Sequence, residues 1–215
     1  MRVINNLKLK LLTNFMHNIR KLVYLTTAFL MILGSFSAGA QKFEVKSSKS
    51  FIQGTSSLHD WESQITKIEC KGNFQSKDKM LNTLNDVEVK IEVEGIKSKE
   101  GRIMDHKTYE AFTSDKYPYI TYSFTTAKIS IDAQKNITIK ADGKLTMAGV
   151  TLPISLTASG KELANGDLQL KVIKKLKMTD FKMKPPTAVL GTIKAGDEIT
   201  VNFDMVLSRS KISLK

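Results

Sequence analysis

The chain has 215 residues, 33 of them Lys or Arg against 21 Asp or Glu, for a formal net charge of +12. One cysteine, Cys70, excludes an internal disulfide, and an apolar share of 41% is ordinary for a single globular domain with a real core. The charge is less extreme than it looks. Five basic residues (Arg2, Lys8, Lys10, Arg20 and Lys21) and no acidic ones fall in the first 40 positions, leaving +7 spread over the other 175.

That leading stretch reads as a secretory signal. Arg20 and Lys21 precede an apolar run from Leu22 to Leu33, and small residues lead to Ala38-Gly39-Ala40. The run is shorter than the ~20 residues of a membrane span. We expect cleavage after Ala40, with initiation at Met1 or Met16, and a periplasmic or secreted product. An uncleaved anchor is the alternative. An exported chain does not routinely meet nucleic acid, so its positive charge suits solubility and transient contact with anionic membrane surfaces.

After Gln41 the sequence alternates apolar and polar residues almost throughout, the signature of half-buried strands. Phe43 and Val45 mark a first strand, and Phe51 to Leu58 a second. Trp61, Ser63 and Ile65 share a face, but Ile68 and Cys70 continue out of phase, which predicts a bend near Lys67. Val87 to Val93 is the cleanest strand. Ile120, Tyr122 and Phe124 form another, and Ala127, Ile129 and Ile131 resume after a phase slip. Between Gly101 and Asp115 the spacing of Met104, Tyr109 and Phe112 predicts one short helix, ending before Tyr117-Pro118.

From Ile137 to Ala158 the alternation flips phase once, at Ala148-Gly149, and predicts a hairpin. Met147 should face Val150, Leu145 face Leu152, and Gly143 face Ile154. Pro153, opposite Lys144, falls at a non-hydrogen-bonded position where its missing N–H is harmless. Leu168 to Met178 and Ile199 to Leu207 complete the strands. Asn165-Gly166-Asp167, Asn136 and Ala195-Gly196-Asp197 read as turns, and Pro185-Pro186 interrupts the chain as an irregular rim. About eight antiparallel strands and one short helix in residues 41–215 make an all-β domain, either sandwich or barrel.

Three segments resemble the YceI-like family of exported, lipocalin-like, polyisoprenoid-binding proteins. The segment from Gly143 to Pro153, GKLTMAGVTLP, is similar to that family's G-x-L-T-x-x-G-V-T-x-P hairpin. Arg102, Phe112 and Lys116-Tyr117-Pro118 through Tyr122 resemble its R-D-x-H-L … F … K-Y-P-x-x-x-F segment. Thr179-Asp180-Phe181 resembles the D-F pair before its last strand. There are departures: Ile103 stands where the family commonly has Asp, Asp105 where it has His, and Ser57 to Trp61 matches its early H-S-x-V-x-F strand only loosely. The resemblance implies a single lipocalin-like barrel holding an isoprenoid lipid, such as a quinone tail, in an apolar channel.

A prenyl tail offers no hydrogen bonds, so its recognition rests on shape and on apolar area removed from water. Met104, Phe112, Phe124, Met147, Phe181, Met183 and Phe203 are the candidate lining, with an ordinary filled core as the alternative. His59, Trp61 and Arg102 are candidates for meeting a polar head group at the barrel mouth. Asp105 and His106 are adjacent on a helix, about 100° apart, and cannot aim at one atom. The mature chain's His59, His106 and Cys70 lack metal-ligand spacing, and no nucleophile or phosphate-loop motif occurs. The expectation is a carrier and not an enzyme, without cofactor or metal; dimerisation is left open. The competing reading is a filled structural or stress-related barrel acting through its surface. Gly143 and Ala141, facing inward, are expected to leave room for a ligand.

Overall fold

Ala148 and Gly149 both take positive φ (46° and 78°), the backbone of a type I′ turn, and the hairpin closes around them. Met147 pairs Val150, Leu145 pairs Leu152, Gly143 pairs Ile154 and Lys144 pairs Pro153, as the alternation requires. This computed structural model describes residues 41–77 and 80–210, all within one compact unit. The expected export signal lies outside the described residues.

The strands are β1 (Gln41–Ser48), β2 (Ser50–Ser56), β3 (Trp61–Ile65), β4 (Ile68–Lys77), β5 (Met80–Glu92), β6 (Ile96–Ser98), β7 (Tyr119–Ile131), β8 (Asn136–Met147), β9 (Val150–Glu162), β10 (Leu168–Lys177), β11 (Thr187–Ala188) and β12 (Ile193–Ser210). The helix α1 spans Arg102–Phe112. Neighbours in sequence pair antiparallel, in the order β1-β4-β5-β7-β8-β9-β10-β12, and the ring closes where β1 pairs both β12 and β4. The remaining strands extend it. β2 continues β1 along β12, and β3 and β6 stand beside β2 as β4 and β5 stand beside β1. Twelve strand segments therefore amount to about eight barrel staves, three of them bent. One bend falls at Thr66-Lys67, where the sequence changes phase.

The predicted slip in β7 appears as a register shift between Ser123 and Ala127. Three expectations fail. Ala195-Gly196-Asp197 is not a turn but part of β12, where a bulge between Ala195 and Ile199 absorbs the glycine. Asn136 begins β8; the turn lies just before it, with Lys135 at φ 65° and Asp132 capping the backbone of Gln134 and Asn136. Val93 likewise leaves its predicted strand for a short 3-10 turn, Val93–Gly95, and is fully buried there.

α1 covers the end of the barrel where β6 has no strand beyond it. Asp105 accepts a hydrogen bond from the Ser98 N–H at 2.6 Å, and the Tyr109 hydroxyl donates to the Glu94 carbonyl at 2.9 Å. Asp105 thus clamps helix to strand, while His106 is exposed on the helix. Two apolar clusters fill the barrel's two halves, one centred on Phe112, Tyr122 and Phe181 and the other on Phe43, Phe74 and Leu170. They meet through Val89, Phe124 and Phe203, which pack against both.

Candidate ligand channel

Side chains do not fill this interior. Three cavities follow one another along the barrel, with volumes of ≈ 200, ≈ 110 and ≈ 80 Å³. Ile52, Phe112 and Ile199 line both the first and the second, and Val89, Tyr122, Leu156, Val172 and Met205 line both the second and the third. The walls are almost wholly aliphatic and aromatic, the surface that an apolar chain requires.

The first cavity is the mouth, bounded by the β2–β3 loop, α1 and the segment after β10. Trp61 and Met104 stand half-buried on its wall, and Met183 is buried there. Gly54 makes room for the Trp61 ring, whose Nε1–H donates to the Thr55 carbonyl at 2.9 Å. His59 lines the same cavity but is exposed, its Nδ1 2.7 Å from the Asp60 carbonyl. Phe112 lines mouth and middle, Met147 and Phe203 the middle, and Phe124 the far cavity.

Two candidates stand elsewhere. Arg102 is exposed at the first position of α1 and lines none of the three cavities. Phe181 is 1% exposed and seated in the core by the Thr179–Phe181 turn, so it plugs the barrel end instead of facing the channel. Leu58 and Lys174 line cavities but are absent from the predicted set. Lys174 could have been found by period-two counting, since it is in phase with Leu168, Leu170, Val172 and Leu176.

The expected space at Gly143 is occupied. A Cβ there would lie 2.6 Å from the Tyr122 Cζ and 2.5 Å from the Ser123 carbonyl oxygen. Tyr122 lies across the glycine and its hydroxyl reaches the Ala141 and Ile154 carbonyls, each at 3.1 Å. Burial, and secondarily the Asp142 carboxylate, push its phenol up to about 12, so it remains a neutral donor inside the barrel. Cys70, on the wall of the far cavity, is buried and its thiol is pushed up to about 11 by desolvation, as befits a small inert hydrophobe.

The rim segment is pinned by Asp197, whose carboxylate accepts from the Thr179 hydroxyl at 2.7 Å and the Thr179 N–H at 2.9 Å. These bonds hold its pKa below the ordinary 3.8. A depressed carboxylate contributes stability above its unfolded value, and that contribution is lost as pH falls through the lower folded value. Trp61, the chain's single tryptophan, reports on the adjoining mouth. Loss of the Asp197 anchor should change its emission in the lower part of a titration from about pH 5 down to about pH 2. Asp197→Ala should show the altered emission already at the upper end. An Asp197→Ala variant whose emission matches the wild type throughout would remove Asp197 as the rim's anchor.

Among the described residues no group of three His, Cys, Asp or Glu could hold a metal ion, and no helix is long and apolar enough to cross a membrane. An antiparallel sheet curled into a barrel around lined apolar cavities, with one helix at its mouth, places the molecule among lipocalin-like barrels. More specifically, the chain belongs to the YceI-like domain family, whose sequence profile matches residues 43–207.

Solved structures agree on the fold. A polyisoprenoid-binding domain from Saccharophagus degradans, implicated in plant cell wall breakdown, superposes with a TM-score of 0.59 at 10% identity, covering 80% of this chain and 99% of that one. BcnA of Burkholderia cenocepacia gives 0.54 at 15% identity, over 73% and 95%. A Campylobacter jejuni YceI protein gives 0.51 at 21% identity, over 69% and 84%. No functionally curated protein matches the chain.

Proposed function

We propose that this protein is an exported carrier that encloses the tail of an isoprenoid lipid, such as a prenyl quinone, in its barrel. The observation that carries the reading is the run of three apolar cavities with shared walls from the mouth to the far end. The polyisoprenoid-binding description of the Saccharophagus neighbour supports the same ligand class. A filled structural barrel is the poorer reading, because solid packing would leave no such space.

The mouth is suited to meet a membrane. Leu58, Val189 and Leu190 are exposed large apolar residues on the segments that bound it, Ile103 is exposed at the start of α1, and Lys182, Lys184 and Lys194 are exposed on the same rim segment and the start of β12. The Ser57 N–H bonds the Lys194 carbonyl at 2.9 Å and ties the β2–β3 loop to the start of β12. Apolar tips among lysines fit a transient contact with an anionic bilayer.

The test begins with protein exported from a bacterial host, extracted with organic solvent and analysed by mass spectrometry. A stoichiometric prenyl lipid is the expected result. The loaded protein should also exchange a prenyl quinone with anionic vesicles, more slowly as salt rises. A lipid-free protein that also fails to take up added prenyl quinone, read by Trp61 emission, would return the filled barrel to favour.

A further inference from the structure

The β9–β10 ladder runs from Glu162↔Leu168 to Ala158↔Val172 and stops. Both strands continue: β9 stays paired with β8 back to Val150, and β10 stays paired with β12 on to Lys177. Because each lip is held by its other neighbour, the separation is built into the wall and is not a frayed end. Inward residues on both lips, Ile154 and Leu156 on β9 and Val172 and Leu176 on β10, are half-exposed and line the middle cavity. Inward residues on the opposite wall, such as Ile91 and Ile120, are 5% and 6% exposed.

The chemistry of the lips fits an open edge. In this hairpin register the backbone groups of Pro153, Ser155 and Thr157 point away from β8, toward the gap. Pro153 has no N–H to leave unpaired there. The Ser155 carbonyl accepts instead from the Lys174 ammonium at 3.1 Å. Lys174 interrupts an inward row that otherwise reads Leu168, Leu170, Val172 and Leu176. Its stem lies on the apolar wall and its charge reaches the lip. It forms no ion pair among the described residues, and two of its three donors are free of protein acceptors. A charge in the inner row of a filled core would be anomalous; beside an opening it is a ready partner for a ligand oxygen.

We propose that the β9–β10 gap is a side opening of the channel, and that Lys174 binds there the polar oxygen end of a prenyl ligand whose tail occupies the barrel. This rests on the carrier reading above. The shared chemistry is an oxygen acceptor on an isoprenoid chain, and a charged phosphate and a neutral quinone carbonyl are its two sources.

The full exported protein and its Lys174→Met and Lys174→Arg variants would be titrated with three probes: geranylgeranyl phosphate, a quinone with a tail of the same length, and the corresponding hydrocarbon. Methionine keeps the unbranched stem and removes the charge. K174M should weaken the phosphate probe roughly 10- to 100-fold, the range for hydrogen bonds to charged groups, leave the hydrocarbon unchanged, and melt as the wild type does. K174R should retain most of the affinity. A comparable loss on the quinone would identify a carbonyl as an acceptor, and a loss confined to the phosphate would identify the anion. If all three probes bind the wild type and K174M alike, the Lys174 site is overturned while the carrier reading stands. If none binds the wild type, the carrier reading falls and the site with it.

Discussion

Replacing Leu156 by tryptophan is expected to weaken binding of a prenyl quinone by roughly two orders of magnitude while the barrel still folds. Leu156 lines both the middle and the far cavity, so an indole there would stand in the path of the tail. It is also half-exposed beside the unpaired edge of β9, which lets the larger ring be accommodated without displacing a packed neighbour. Displacing about 100 Å² of tail surface at ~25 cal/mol per Å² corresponds to about 2.5 kcal/mol, or roughly 70-fold in Kd. Fluorescence titration with the quinone, beside a melting curve for each protein, separates blocking from unfolding. Unchanged affinity in a folded variant would mean that the ligand does not pass this point, and the binding site would shrink to the mouth.

Gly143→Ala should strongly destabilise the barrel. The added methyl meets the Tyr122 ring on one side and the Ser123 carbonyl on the other, and backbone cannot give way as a flexible side chain can. Relief requires moving Tyr122, which breaks its bonds to the Ala141 and Ile154 carbonyls. A loss of about 3 kcal/mol is expected, at the upper end for overpacked interiors. For a domain of this size that lowers Tm by roughly 10 °C. Gly143→Ala combined with Tyr122→Leu should recover part of the loss, since it empties the space the methyl needs. If the single variant melts with the wild type, Tyr122 is not fixed over the glycine.

These two residues also mark how far the sequence could be read. The hairpin around Ala148-Gly149, the bend at Thr66-Lys67 and the slip after Ser123 were all legible, because each is a local matter of which side chain follows which. Most of the candidate lining also stood out, since Met104, Phe112, Phe124, Met147 and Phe203 are large residues on inward faces. Gly143 was misjudged. Alternation placed it inside, but only packing across to β7 puts Tyr122 in its space. Gly196 was misjudged for the related reason that a Gly-Asp pair reads as a turn, whereas β2 and β10 flank β12 and carry it through as a bulge. Arg102 was singled out for its charge and Phe181 for its apolar bulk, and their surroundings put one in solvent and the other in the core.

By itself, then, the sequence determined most of the strands, their inner and outer faces, the hairpin turn at Ala148-Gly149 and the family. Period-two alternation and positive-φ preferences act within a few residues of chain. Tertiary structure alone decided that the sheet closes through β1, that the interior remains a channel, and that β9 and β10 part after Ala158 and Val172. Those outcomes depend on pairing and packing between residues far apart in the chain, and no local pattern carries that information.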